Sequence, residues 1–378
     1  MPAQPARAAT DRTEAMSDAL DAVERHDSAD LLGLTAALIA VPSVFPDEGP
    51  LADAIERRVR ARAPKLEVTR LANNVIARTE LGAARRVVLG GHLDTVPANA
   101  NAAPRVEGDV VHGLGAADMK GSLAVLLQIA EALQSGVPCL DVTLFWYEGE
   151  EVAEEHNGLR RVFAEAPELL SADLAVLCEP TGGWVEAGCQ GTIHVRAEFR
   201  GARAHSARPW MGENAIAKAA PVLARVASHE LEPIAVDGLE FRQALQLVRV
   251  DGGIANNVVP DTASFVVNRR FAPSLSCDSV IADTVALLAG ADAIDVINES
   301  PGAPPNLADP LVAEFVGRLN LPVRPKLGWT DVARFAARGI PALNFGAGDP
   351  TLAHTRDERV ERADLDQCAA RLRDFCGL

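Results

Sequence analysis

VVLGGHLDTVP, residues 87–97, opens on the apolar run Val87–Leu89 and then breaks into Gly90, Gly91, His92, Leu93 and Asp94. A short apolar run bounded by glycines predicts a buried strand. The polar cluster after it fits the rim where open α/β sheets carry their functional groups. The pattern recurs: Val142–Tyr147 runs into EGEE (148–151), Leu174–Cys178 into EPT (179–181), and Ile340–Phe345 into GAGDPTLAH (346–354). Helical patterns lie between and around these runs. One covers Asp30–Ala40; another is MKGSLAVLLQIAEALQSG (119–136), where Leu123, Leu126, Leu127, Ala130 and Leu133 fall at helical spacing and Gly136 can close the helix. The alternation predicts an α/β domain built on a central sheet.

The stretch 184–297 has a different period. In TIHVRAEFR (192–200), Ile193, Val195, Ala197 and Phe199 alternate with His194, Arg196, Glu198 and Arg200, as in an antiparallel strand with one wet face. A helix over 213–228, strands over 244–250 and 263–271, a helix over 276–288 and a strand over 293–297 complete a β-α-β-β-α-β order. We therefore expect a small α+β domain, 184–297, inserted into a larger one made of 29–183 and 298–378. Residues 1–28 are rich in Ala, Asp, Arg and Glu and poor in large apolar residues, so a flexible N-terminal extension is expected there.

The totals agree with two domains: 378 residues, 48% of them hydrophobic, can fill more than one core. A net charge of −16 and a pI near 5.0 argue against nucleic acid or an anionic membrane as partner. No apolar stretch is long enough for a membrane span, and the N-terminus lacks the charged-then-apolar order of a secretory signal. A cytoplasmic protein is expected. Cys139, Cys178, Cys189, Cys277, Cys368 and Cys376 are scattered singly, without metal-ligand or disulfide-scaffold spacing, and are expected to be reduced.

His92, Glu150 or Glu151, Glu179 and His354 all follow predicted strands, and Asp118 sits in GLGAADMKG (113–121), which opens a helix. Singly, each has a plainer reading: a loop histidine, a helix-capping Asp, a solvated acidic helix start at EGEEVAEE. Together they are polar groups arriving at one sheet edge from five segments. His112 and His194 are read as structural, and Glu154 and Glu155 as solvated.

At this point the chain resembles a known family. GHLDTVP, GLGAADMKG, EGEE, CEPT and the late AH are similar, in order, to the motifs of the co-catalytic zinc aminoacylase and carboxypeptidase family, and the resemblance runs from about Asp30 through the inserted domain. It implies a zinc-peptidase-like catalytic domain with a mixed sheet and a ferredoxin-like dimerisation or lid domain. Position by position, it implies His92, Asp118, Glu151, Glu179 and His354 as ligands of two zinc ions, with Asp118 shared and Co or Mn able to substitute. Asp94 is implied as the acceptor that orients His92, Glu150 as the general base, and His205 as a group reaching the reaction oxyanion across a homodimer. The implied reaction is hydrolysis of an N-acyl bond.

Within the family the likeness is strongest to the branch that releases succinate from N-succinyl-LL-2,6-diaminopimelate. Arg270, Arg334 and Asn257 match positions that hold that small-molecule substrate. AGCQGT (187–192) and TDVARF (330–335) depart from the better-known members of the branch and match a second subgroup of it. An acetylornithine deacetylase, another N-acyl-amino-acid deacylase or a dipeptidase remains the alternative, and so does a ligand-binding homologue without activity.

Overall fold

A computed structural model describes residues 5–378, and their side chains from residue 14 onward. The chain divides into two units: Met1–Ala187 with Asn306–Arg324 and Arg334–Leu378, and Gly188–Pro305 with Pro325–Ala333.

The first unit is built on an eight-stranded mixed sheet, in the order Glu67–Leu71, Asn74–Arg78, Asp141–Tyr147, Arg86–His92, Leu174–Pro180, Ala342–Gly346, Val185–Ala187, Val323–Pro325. Arg86–His92 runs parallel to both its neighbours, and Leu174–Pro180 runs parallel to Ala342–Gly346. These central strands are the apolar runs of the sequence, and every residue of Asp141–Tyr147 and Leu174–Pro180 is buried, as parallel strands covered on both faces require. The helix Gly121–Ser135 packs on Arg86–His92 and Leu174–Pro180, and against Leu31–Ala40 and Arg362–Cys376. Gly346 permits a close strand approach: a Cβ there would lie 2.0 Å from the Cys178 carbonyl oxygen. A small separate sheet orders Arg359–Glu361, Val110–His112 and Arg105–Glu107 side by side.

The second unit has a four-stranded antiparallel sheet, in the order Ala244–Gly252, Thr262–Phe271, Gly191–Arg200, Ala293–Ser300. With the helices Ala215–Ala227 and Cys277–Leu287 it realises the β-α-β-β-α-β order. Ile193, Val195, Ala197 and Phe199 are all buried, packed with Phe265, Val267, Val222 and Val280. The Phe199 and Phe265 rings lie 5.6 Å apart. The alternation in 192–200 thus marks the face that the helices cover.

Three expectations change. The flexible extension expected over 1–28 is instead a helix, Pro5–Arg25, for the part that the structure describes; residues 1–4 lie outside the described residues. Ala19 and Val23 are buried, and the buried Arg58 guanidinium donates to the Val23 carbonyl at 2.6 Å and meets Glu131 at 2.7 Å. Small apolar side chains and two arginines, Arg58 and the Arg57 that pairs with Glu24 at 2.6 Å, hold a segment whose composition promised little burial. The second unit starts at Gly188, not 184, because Val185–Ala187 pairs with Ala342–Gly346 in the first sheet. It runs past 297 because its last strand extends to Ser300, and it takes in Pro325–Ala333, where Gln190 N–H donates to the Lys326 carbonyl at 3.2 Å.

The hairpin Ile234–Val236 with Leu239–Phe241 was not foreseen. Its signal is the Asp237-Gly238 pair, both at positive φ (50° and 80°) as a tight hairpin turn demands. All six cysteines are free. Among the described residues no helix is long and apolar enough to cross a membrane.

Candidate metal centre

The parallel strands deliver side chains to one rim of the first unit's sheet. His92 ends Arg86–His92, Glu179 lies near the end of Leu174–Pro180, and Glu150 and Glu151 follow Asp141–Tyr147. His354 follows Ala342–Gly346 after a short turn, and Asp118 lies in the segment that leads into Gly121–Ser135. That helix takes Lys120 as its N-cap without a side-chain bond, so Asp118 is no capping residue.

The Asp118 carboxylate stands between two imidazoles. His92 Nε2 is 3.0 Å from its Oδ1 and His354 Nε2 is 3.5 Å from its Oδ2, while His354 Nε2 is 2.6 Å from Glu151 Oε1. His92, Asp118 and Glu179 each offer a ligand atom within 4.8 Å of the others, and so do Asp118, Glu151 and His354. A third such grouping of His92, Glu150 and Glu151 puts Glu150 beside the two triads. All five residues predicted as ligands are therefore brought together, and Asp118 is the member common to both triads.

The electrostatics follow from this crowding. Burial disfavours a charged His92, yet the Asp118 and Asp94 carboxylates outweigh it and hold the imidazole well above its usual range. The bonds to Asp118 and Glu151 push His354 up to about 10. Burial opposes ionisation of Asp118, but His354 and His92 keep it well below the usual carboxylate range. The pocket is built to hold positive charge.

Asp94 accepts from the second ring nitrogen of His92 and has a further role beside it. His92 Nδ1 lies 2.9 Å from the Asp94 main-chain carbonyl and 3.5 Å from its carboxylate, so the carbonyl is the acceptor that orients the ring. The carboxylate is taken by two other donors: it accepts from Glu150 N–H at 3.0 Å and from Glu151 N–H at 2.9 Å. Charge-assisted bonds of this kind are roughly twice as strong as neutral ones, and here they fix the segment that carries both acids.

Two acids were missed by the sequence reading. Glu48 is fully buried and accepts from Gly149 N–H at 3.2 Å; burial, reinforced by the charges of Asp94 and Glu148, pushes its carboxyl up to about 7. Glu358, also buried, accepts from Gly115, Ala117 and Asp118 N–H at 3.0, 3.1 and 3.0 Å. Glu358 lies four residues after His354, just before a short strand.

The residues matched to substrate positions are distributed between the units. Arg334, in the first, donates to Glu154 at 3.0 Å. In the second, His205 is exposed on a loop, with Nδ1 accepting from Ala207 N–H at 3.1 Å. The next residue, Ser206, donates its N–H to the Asn257 carbonyl at 2.9 Å, which pairs the His205 and Asn257 loops. Arg270 is half-buried on Thr262–Phe271. His194 lies within that unit's sheet, 2.7 Å from the Asn268 amide, and His112 lies in the small sheet of the first unit.

The chain is similar to known proteins over most of its length. A model of peptidase family M20/M25/M40 matches residues 88–377. The chain is 46% identical over 349 residues to a Mycobacterium tuberculosis protein provisionally named succinyl-diaminopimelate desuccinylase DapE, covering 92% of this chain and 98% of that one. It is 45% identical over 359 residues to the succinyl-diaminopimelate desuccinylase of Corynebacterium glutamicum, covering 92% and 97%. Its fold is similar to that of a tripeptidase from Staphylococcus aureus, with a TM-score of 0.76 at 20% identity over 93% of this chain and 98% of that one.

Proposed function

The chain belongs to peptidase family M20/M25/M40, and from that premise we propose that it hydrolyses N-succinyl-LL-2,6-diaminopimelate to succinate and LL-2,6-diaminopimelate, a step towards diaminopimelate and lysine. The observation that carries the hydrolytic reading is the pair of triads sharing Asp118, with Glu150 beside them. The substrate is argued from two relatives named for that activity, each matched over nearly its whole length.

The donor set fits a pair of divalent cations. Two imidazoles and three carboxylates suit zinc, with cobalt or manganese able to substitute. The Asp118 carboxylate lies directly against both imidazoles and that of Glu151 against His354, which makes the pocket anionic and suited to a cation. His92, Asp118 and Glu179 would hold one ion, and Asp118, Glu151 and His354 the other. When bound, such ions make a water more acidic and polarise the scissile carbonyl.

The chain's own residues do the rest. Glu150 takes the proton of the attacking water and returns it to the leaving amine. Asp94 fixes Glu150 and Glu151 through their main-chain N–H groups and orients His92 through its carbonyl. Arg270 and Arg334 supply planar guanidinium groups for the substrate carboxylates, and Asn257 a polar contact. His205 donates to the oxyanion of a partner subunit's substrate, in a homodimer made through the second unit. The edge strand Ala244–Gly252 supports such an interface, because it leaves Val248 and Val250 exposed along an unpaired edge. A cytoplasmic location is part of the same proposal; among the described residues no helix is long and apolar enough to cross a membrane.

A substrate panel tests this reading. With zinc supplied, N-succinyl-LL-2,6-diaminopimelate should be turned over in preference to N-acetylornithine and simple dipeptides. Turnover confined to N-acetylornithine or to dipeptides would refute the assignment.

A further inference from the structure

We propose that Glu358 is the positioning residue for Asp118: its buried carboxylate gathers the main-chain N–H groups of Gly115, Ala117 and Asp118 and so presets the Asp118 oxygens between His92 and His354. The proposal rests on the reading of Asp118 as the ligand shared by both triads.

The fold explains how the acid arrives there. Arg359–Glu361 pairs antiparallel with Val110–His112, Arg359 opposite His112. Glu358 precedes the first of these strands and Gly113–Asp118 follows the second, so the two extensions meet. The ladder continues one step, Gly113 N–H donating to the Glu358 carbonyl at 3.1 Å. The side chain then takes over: Oε2 accepts from Gly115 at 3.0 Å, and Oε1 from Ala117 at 3.1 Å and Asp118 at 3.0 Å.

Those three donors need an acceptor. Ala116–Lys120 turns irregularly, with Asp118 and Met119 outside helical φ and ψ, so it supplies no helical partners for them. Buried amide groups left unpaired are costly, and a carboxylate is the side chain that offers two oxygens and no donor. An amide in its place keeps the shape, but wherever its NH2 points, one N–H faces another donor. The same segment that supplies His354 therefore also sets the backbone on which Asp118 stands, which ties a ligand of one triad to the residue common to both.

The experiment compares wild type with Glu358→Gln, and with Glu361→Gln as a control for an exposed acid on the adjoining strand. Zinc affinity is measured by competition with a chromophoric chelator, and the visible spectrum of the cobalt-loaded protein is recorded. Glu358→Gln should bind zinc 10- to 100-fold more weakly, the range seen when groups that orient metal ligands are removed, and its cobalt spectrum should shift. KM should change little while kcat falls, and Glu361→Gln should match wild type. Wild-type affinity and an unchanged spectrum in Glu358→Gln would overturn the proposal. Failure of wild type itself to bind zinc would instead overturn the metal reading beneath it.

Should Glu358→Gln fail to fold, amide hydrogen exchange on the metal-free wild type decides. Protection of the Gly115, Ala117 and Asp118 amides supports the clamp, and free exchange there contradicts it.

Discussion

Glu150 and Glu151 are chemically identical neighbours, and the backbone between them decides which does what. Asp94 receives both their N–H groups on its two oxygens, so the pair is held as one rigid corner, with Glu151 2.6 Å from His354 and Glu150 grouped with His92. Glu150→Gln keeps the shape and removes the base. It should lower kcat by roughly 10²- to 10⁴-fold, the usual contribution of a positioned acid or base, while zinc content measured by elemental analysis stays at the wild-type level. Wild-type turnover in that variant would sink the assigned role. Behind the same corner, Glu48 has its carboxyl raised from 4.5 to about 7. Between those values the folded state keeps a proton that the unfolded state releases, so the stability gained is full below about pH 4.5 and is lost as pH rises through about 7. In metal-free protein, Glu48→Gln should erase on the order of 2 kcal/mol of that decline between pH 4.5 and 8. Denaturant unfolding at the two pH values measures it, and identical slopes in wild type and variant would contradict it.

At the scale of elements, the strands act as rails that end at the site, and one glycine shows how tight they run. A Cβ on Gly346 would press 2.0 Å from the Cys178 carbonyl oxygen and 2.6 Å from that of Glu179, both rigid backbone. Gly346→Ala should therefore cost about 1–3 kcal/mol or more, as overpacking does, and should weaken zinc binding by displacing Glu179. Unfolding midpoints and zinc content equal to wild type would contradict this. The strands themselves are legible in the sequence. Val87–Leu89 and Leu174–Cys178 advertise burial on both faces, and Ile193, Val195, Ala197 and Phe199 advertise burial on one. The candidate ligands stand out in the sequence because they follow such runs within motifs that a family shares. Glu48 and Glu358 are not, because their partners are backbone amides far along the chain, and amides leave no mark in a sequence. The contact of Asp94 with His92 was legible from the shared motif, whereas the hold of its carboxylate on the Glu150 and Glu151 amides was not. The N-terminal helix escaped notice because much of its hold comes from residues far along the chain, Arg57 and Arg58, which the composition of the segment does not reveal.

At the scale of the whole molecule, a chain with a net charge of −16 concentrates acids at one rim of its larger sheet, where cations are the natural guests. The arginines proposed for the substrate's carboxylates then act against that general field, as local exceptions to it. Both triads depend on Asp118, so its two oxygens are the hinge of the account. Diffraction from zinc-soaked crystals, recorded on both sides of the zinc absorption edge, examines that point without reference to any substrate. The account predicts two anomalous peaks per chain, one among His92, Asp118 and Glu179 and the other among Asp118, Glu151 and His354. Peaks elsewhere, or none within bonding distance of Asp118, would contradict it.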